Sequence, residues 1–238
     1  MKNVLILAAV AALVSGTAQA ASEVEAIENA TVQPAQVRSG SNGINFFNIE
    51  GSANGNFASY GVARFDVTAI KAGFDAVYGV GGWVVDSVAL QLTQSNAGFT
   101  NDGLVDVYFT DDDSVTLAGG STALLHPFAG DFPDAQKILG YAFQETATGD
   151  TNSYQLFDRA GINTSGGNAL AADLLGDNMV TLALVDVDAS VAATYAGYNN
   201  NTYAGPTLFI EAAPVPEPET LVLLGAGLAG LAALRRKR

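Results

Sequence analysis

Few residues of this chain have the types and spacing that enzyme catalysis requires. His126 is the only histidine among 238 residues, and the chain contains no cysteine. A Ser-His-Asp relay or a histidine metal cluster would therefore depend on His126 alone, and no Gly-x-Ser-x-Gly segment supplies a nucleophilic serine. Thiol catalysis, disulfides and thiolate metal sites are excluded outright. We therefore predict a protein that is not an enzyme, and we assign no catalytic residue.

Four aspartates form the best candidate for a metal site. Asp111 and Asp113 belong to a run of three aspartates after a predicted strand, and Asp186 and Asp188 share one face of a later strand. Carboxylate oxygens near the end of a strand are ligands that Ca²⁺ accepts. No Asp-x-Asp-x-Asp-Gly loop is present, however, and clustered charges at turns are usually solvated. We expect no cofactor, with Ca²⁺ at these four residues as the alternative.

Tyrosines and amides near the end of the chain form the best candidate for a binding site. Tyr195, Tyr198 and Tyr203 surround the run Asn199-Asn200-Asn201, whose turn residues predict a loop at one end of the domain. Aromatic faces stack on sugar rings, and amides can bond to sugar hydroxyls. The alternative is that these rings close one end of a hydrophobic core. We name the three tyrosines as candidate ligand-binding residues.

The charge balance limits the partners of the chain. Its formal net charge is −14, and between Ala21 and Pro214 five basic residues accompany 22 acidic ones. Such a surface repels nucleic acid and anionic lipid, because both need clustered lysines and arginines. Glycoside hydrolysis would need two positioned carboxylates, which cannot be paired by sequence among so many acids. We therefore expect no nucleic-acid partner.

Short stretches of alternating apolar residues predict the elements that would position these groups. A period of two is typical of strands with one buried face, and glycine- and asparagine-rich turns separate the stretches. Helix is scarce, with one or two turns expected over 133–139 and 169–175. This pattern predicts an all-β fold, a β-sandwich with a jelly roll as its expected form. The alternating stretches are Ala63–Val67, Val88–Thr93, Val105–Thr110 and Thr207–Ile210.

The N-terminus has the three parts of a signal peptide. Lys2 supplies a positive charge, Val4–Val14 is an unbroken apolar run, and Ala18-Gln19-Ala20 is an Ala-x-Ala cleavage site. We predict a signal peptide over residues 1–20, with Ala18 and Ala20 as processing residues for signal peptidase. Residues 21–41 contain scattered Glu, Gln and Ala and are expected to form a linker before a sandwich domain over 42–212.

The C-terminus, residues 213–238, also has three parts. Pro216 and Pro218 around Glu217 favour an extended, accessible backbone. An apolar stretch follows, for which we predict a membrane helix over 220–234, and four basic residues end the chain. The uncharged run from Leu221 would reach about 21 Å as a helix, short of the roughly 30 Å hydrocarbon core, so we expect a thin insertion. The terminal cations would stay in the cytoplasm.

This tail resembles the PEP-CTERM sorting signal. The resemblance covers the last 24 residues and includes Val215-Pro216-Glu217-Pro218, the short apolar helix and the basic end. It implies recognition by a membrane protease of the exosortase type, with cleavage near Pro216-Glu217-Pro218 as the processing determinants. It also implies an inner-membrane precursor, a final place on the cell surface or outside the cell, and an association with exopolysaccharide and biofilm.

The middle of the chain resembles DNRLRE-type jelly-roll domains. The resemblance runs from Ala58 to Ile210 through Arg64-Phe65-Asp66-Val67, Val85–Leu92, Val105–Tyr108 and Gly205–Ile210. It implies an extracellular, carbohydrate-associated sandwich, often without catalysis. We expect an exported structural or adhesive protein of the cell surface or extracellular matrix. The alternatives are a carbohydrate-binding module for exopolysaccharide and, third, a glycan-directed hydrolase.

Overall fold

The structure, a computed structural model, describes residues 19–40, 45–96 and 98–215. In these ranges the chain forms eleven strands, two α-helices and one 3-10 helix at Ser52–Phe57. The helices are α1 (Thr68–Tyr78) and α2 (Ser165–Gly176). The strands are β1 (Ala20–Glu25), β2 (Glu28–Val32), β3 (Phe46–Glu50), β4 (Tyr60–Asp66), β5 (Trp83–Thr93), β6 (Gly103–Thr110), β7 (Gln136–Phe143), β8 (Thr151–Asp158), β9 (Met179–Asp186), β10 (Ala192–Ala196) and β11 (Thr207–Pro214).

Two antiparallel sheets and one strand pair make up the fold. The four-stranded sheet has the order β1-β11-β5-β8, and the five-stranded sheet has the order β2-β4-β9-β6-β7. Strands β3 and β10 form the separate antiparallel pair. One core cluster contains Leu90 and Ile210 from the first sheet together with Phe65, Val107 and Leu182 from the second. The prediction of an all-β sandwich is confirmed.

The pairing between strands is nested along the chain. Strand β6 pairs with β7, β5 with β8, β4 with β9, and β1 with β11. Each successive pair encloses the previous one in sequence, so the outermost pair joins the first and last strands of the described chain. These pairs alternate between the two sheets.

The loop between β6 and β7 covers the outer face of the five-stranded sheet. A second buried cluster contains Tyr60 and Val62 of β4 together with Leu117, Leu124 and Phe132 of this loop. The Tyr60 hydroxyl donates to the Asp131 carboxylate at 2.5 Å. Strand β4 is therefore buried on both faces over Tyr60–Phe65, which is why its sequence does not alternate cleanly between apolar and polar residues.

The predicted linker over residues 21–41 is wrong over about half of its length, because β1 and β2 lie there. Strand β1 pairs residue by residue with β11, from Ala20 opposite Ala212 to Glu25 opposite Thr207. Glutamate and alanine are depleted in strands, so the local sequence does not favour this conformation. Tertiary pairing with β11 outweighs that preference, since β1 is an edge strand whose outer residues tolerate charge.

The two helices cover the ends of the sandwich. In α1, which the sequence analysis missed, Asp66 Oδ1 accepts from the Thr68 amide at 2.9 Å, and Ile70 and Phe74 are buried. Helix α2 includes the turns expected over 169–175, and the Thr164 side chain caps it. The turns expected over 133–139 are absent, because β7 already begins at Gln136.

Among the described residues, no helix has the length and apolar character needed to cross a membrane. The predicted membrane helix over 220–234 lies outside the described residues, as do residues 1–18 of the predicted signal peptide.

Removing the tail should leave the sandwich intact. Strand β11 ends at Pro214, and the Val215 amide donates to the Gly82 carbonyl at 3.0 Å. We expect a chain that stops after Val215 to melt within about 2 °C of the full chain, because it keeps the packed strands. Circular dichroism melting of both chains measures this.

A chain that stops after Gly205 is the matched control. It lacks β11, which lies between β1 and β5, and we expect no cooperative melting transition from it. A large loss of stability on removing residues 216–238 alone would contradict the boundary.

Candidate functional site

The three candidate tyrosines do not form one exposed loop. Tyr195 lies within β10 and is fully buried, with its hydroxyl 3.0 Å from that of Tyr141. Burial raises the pKa of the Tyr195 hydroxyl well above its usual value. The loop prediction is therefore wrong at Tyr195. The reason is its place in a strand: Ala193 and Tyr195 face the core on alternate positions of β10.

Tyr198 and Tyr203 do lie in the loop after β10, but both are half-buried against the domain. The Tyr198 side chain packs on the main core cluster. The Tyr203 ring approaches the backbone of Gly149, within 3.0 Å of the position that a Cβ would occupy. Asn200 Oδ1 accepts from the amides of Thr202 and Tyr203, so this amide orders its own loop. Nothing in this arrangement brings the tyrosines and amides together around a cavity.

The four candidate calcium ligands lie in two separate places. Asp113 accepts from the Thr181 hydroxyl near the start of β9, whereas Asp186 is the last residue of that strand. Five residues of strand span about 16 Å, too far for ligands of one cation. Asp188 accepts from the Leu104 amide at 2.8 Å. Across the part of the chain that the structure describes, no group of three or more His, Asp or Glu side chains is placed to hold a metal ion.

Asp111 has a different partner, the carboxyl group of Asp173 on α2. Burial, followed by the hydrogen bond and the negative charge of Asp111, raises the pKa of Asp173 to about 7. The position of Asp173 in the last turn of α2 adds to this, because a negative charge is unfavourable at a helix C-terminus. The contact therefore favours the protonated form of the Asp173 carboxyl group beside Asp111.

His126 is half of a buried pair. Its Nε2 lies 3.3 Å from Asp186 Oδ1, and its side chain is 8% exposed. The long loop that carries His126 packs over the five-stranded sheet, as described above. The His126–Asp186 contact holds this loop against the end of β9.

The predicted processing residues fall at the edges of the described chain. Ala20 begins β1, and its amide donates to the Tyr78 hydroxyl at 2.8 Å. Ala18, Pro216, Glu217 and Pro218 lie outside the described residues. Because Ala20 pairs with Ala212, the entry to β1 and the exit from β11 are neighbours at one corner of the sandwich.

A groove that the sequence analysis missed crosses the outer face of the β3–β10 pair. We call it the β3–β10 groove. It has a volume of about 590 Å³, which falls within the size range of small-ligand sites. Its floor comes from the two strands, and its walls come from the 3-10 helix and the loop after β5. The residues that line it are Arg38, Phe46, Asn48, Glu50, Asn54, Phe57, Asn96, Phe99, Thr100, Asn101, Ala192 and Thr194.

Strand alternation builds the floor of this groove. Phe46, Asn48 and Glu50 share the outer face of β3, while Phe47 and Ile49 between them are buried in the core. The register sets Thr194 opposite Asn48 and Ala192 opposite Glu50. Small residues on β10 therefore leave space above the floor, beside larger polar and aromatic ones on β3.

Asn48 has an incomplete set of hydrogen bonds. Its Nδ2 donates to Glu50 Oε1 at 3.1 Å and to the Thr194 hydroxyl at 3.2 Å. Its Oδ1 has no hydrogen-bond partner within the described chain, although the residue is only 6% exposed. An unsatisfied buried carbonyl costs on the order of 1–3 kcal/mol. Each such group calls for a specific explanation, which can be a functional role, stored strain or a bound water or ion.

Charge in the groove is balanced. Burial raises the pKa of the Glu50 carboxyl, while the hydrogen bond from Asn48 and the positive charge of Arg38 partly offset this effect. The groove thus holds one basic and one acidic side chain, unlike the strongly acidic domain around it. The alternation of polar and apolar residues in β3 was the sequence pattern that could have indicated the floor of the groove. The segment after β5 was interpreted only as a turn, so its contribution to the groove was missed.

The tyrosines should differ sharply in their effect on stability. We expect Tyr195→Ala to lower the free energy of unfolding by about 3–5 kcal/mol, because it empties a fully buried ring site. Tyr203→Ala should cost less than about 1 kcal/mol, since that ring is half-buried in a loop. Urea denaturation of the two variants measures the difference. Equal, small costs would contradict the placement of Tyr195 in the core.

Asp173 should make the protein less stable as the pH rises. Its pKa is raised from 3.8 to about 7 on folding, so the folded protein binds more protons than the unfolded one in this range. Stability should therefore fall between about pH 4 and pH 7, and Asp173→Asn should relieve the fall. We expect this variant to melt on the order of 2 °C above the wild type at pH 8, with no gain at pH 4.

Asp66→Asn is the control for this measurement. The hydrogen bonds from Thr68 lower the pKa of Asp66, so ionisation of this group favours the folded state. Asp66→Asn should give no gain at pH 8. An equal gain from both variants would show a general effect of removing negative charge.

Comparison with known proteins concerns the end of the chain. No curated protein matches the chain in sequence. The PEP-CTERM protein-sorting motif matches residues 214–237, which begin at the last residue of β11 and continue through the predicted processing residues. The resemblance noted in the tail is thereby confirmed. This chain carries a PEP-CTERM sorting motif directly after its β-sandwich, as an exported protein sorted through an exosortase does.

Proposed function

We propose that this chain is an exported structural or adhesive protein that is displayed on the cell surface or in the extracellular matrix. The observation that carries the proposal is the sorting motif at residues 214–237, which starts where the last strand ends. A sandwich joined directly to a sorting tail has no intervening domain, so the folded unit itself is what the tail delivers. In this proposal the folded sandwich acts through its contacts with other molecules outside the cell.

The order of the tail supports delivery to the outside. Pro216 and Pro218 favour an extended backbone, which suits the active site of a membrane protease. An apolar segment with a basic end favours an orientation with the basic end in the cytoplasm. The acidic sandwich then lies on the other face of the membrane, where a signal peptide over residues 1–20 would bring it. Signal peptidase and an exosortase-type protease are the processing partners in this proposal.

We infer a jelly roll as the form of the sandwich. The support is the nested pairing of β1 with β11, β4 with β9, β5 with β8, and β6 with β7. A long antiparallel hairpin that is wrapped into two sheets gives this order. Strands β2, β3 and β10 are additions to that plan.

Carbohydrate binding is the second candidate function, and one observation favours it. The β3–β10 groove joins exposed phenylalanines with asparagines, the side chains that suit sugar rings and hydroxyls. An adhesive protein could use this groove to hold exopolysaccharide. A glycan-directed hydrolase is the third candidate and has less support, because Glu50 is the single carboxylate among the groove's lining residues and hydrolysis needs two.

Sorting should depend on the Pro-Glu-Pro segment of the tail. We expect replacement of Pro216, Glu217 and Pro218 by Ala to block C-terminal processing, because the protease loses its docking segment. The uncleaved precursor should accumulate in the inner membrane. Intact-mass spectrometry of membrane and external fractions measures the C-terminus in each.

Glu219→Ala is the matched control, since it also removes one negative charge from the tail but leaves Pro-Glu-Pro intact. It should be processed like the wild type. Normal cleavage and release of the triple variant would contradict the proposed route.

A further inference from the structure

We infer that the β3–β10 groove is a binding site for an uncharged oligosaccharide. The inference extends the adhesive role proposed above and names the ligand class and the site. It concerns binding by the folded protein alone, so it can fail or hold independently of how the tail is processed.

Two exposed rings form the walls of the groove. The Phe57 side chain is 58% exposed at the end of the 3-10 helix, and Phe99 is 80% exposed in the loop after β5. Large apolar side chains that stay exposed around a concave surface indicate a contact surface for a ligand or partner. The faces of pyranose rings are apolar and flat enough to pack on such side chains.

The floor of the groove offers hydrogen bonds of the type that sugars need. Asn48 Oδ1 is a carbonyl oxygen without a donor among the described residues. Asn54, Asn96 and Asn101 add further amides to the lining. Sugar hydroxyls both donate and accept, so they can pair with the carbonyl oxygens and the NH2 groups of amides that line the groove.

Charge selects against acidic polysaccharides. Within the groove, Arg38 and Glu50 oppose each other in sign, so the site offers no excess charge to a ligand. Around it, the domain has far more acidic than basic residues, and its field repels polyanions. The ligand that fits both conditions is a neutral glycan, with affinity built from several adjoining sugar rings.

Binding of defined neutral hexasaccharides tests the inference. Full-length protein is purified in a detergent without a sugar headgroup, since a glycoside detergent would compete for the groove. Cellohexaose, maltohexaose, mannohexaose and xylohexaose are titrated by calorimetry, with hexaguluronate as the anionic comparison. We expect at least one neutral hexasaccharide to bind at up to millimolar concentrations, and hexaguluronate to bind more weakly than that ligand.

Variants of the exposed rings locate the site without disturbing the fold. Phe57→Ala and Phe99→Ala should each weaken binding about fivefold to tenfold, the change expected for one lost aromatic contact. Asn48→Ala should weaken it by about tenfold, because the Asn48 amide holds Glu50 and Thr194 of the groove floor in place. Ile162→Ala is the control, because Ile162 is fully exposed and lies outside the groove lining.

Three results would overturn the inference. The first is that none of the four neutral hexasaccharides binds at millimolar concentration. The second is that the double variant of Phe57 and Phe99 binds as well as Ile162→Ala, which would place the site elsewhere. The third is that hexaguluronate binds more tightly than every neutral ligand. Melting curves of each variant separate loss of binding from loss of folding, and the two exposed phenylalanines keep the test decisive if Asn48→Ala unfolds.

Discussion

The sandwich depends on the position of β11 between β1 and β5. This strand joins the first described strand to the centre of the four-stranded sheet, and its residues Leu208, Ile210 and Ala212 are fully or almost fully buried. Every enclosed pair of the nested order sits inside the contact between β1 and β11. The last strand of the domain in sequence is therefore the one that closes it. Contacts of such long sequence separation are typical of slowly folding β-proteins.

The many acidic residues have a structural use that net charge does not reveal. Asp66, Asp134 and Asp188 each accept a hydrogen bond from a backbone amide in a loop or at the start of a helix or strand. Charged acceptors make stronger hydrogen bonds than neutral ones. These hydrogen bonds fix the backbone in loops and at the starts of helices and strands. The aspartates that suggested a calcium site make contacts within the protein. Asp113 accepts a hydrogen bond from Thr181, and Asp186 lies beside His126.

The sequence predicted the parts of the fold whose residues carry their own pattern. Strands β5, β6 and β11 alternate because one face is buried, and they were placed correctly. Strands β1 and β2 were missed, since pairing partners far along the chain decide their conformation. The alternation in β3 could indicate one strand of the β3–β10 groove but not the whole groove, because its lining comes from five separate segments. These segments contribute Arg38, Asn48, Phe57, Asn101 and Thr194. Tyr195 was assigned to a loop because asparagines follow it, whereas strand register buries it.

The junction between β11 and the sorting motif also has a mechanical consequence. The motif begins at Pro214, so tension on the tail would pass directly into β11 along its axis. Hydrogen bonds between antiparallel strands lie across the strand direction, and β11 makes them on both sides. A force along β11 therefore loads these hydrogen bonds together in shear, and they cannot break one at a time. A pull on the C-terminal end of β11 is therefore resisted by both neighbouring strands, β1 and β5, before the sandwich can unravel from that end.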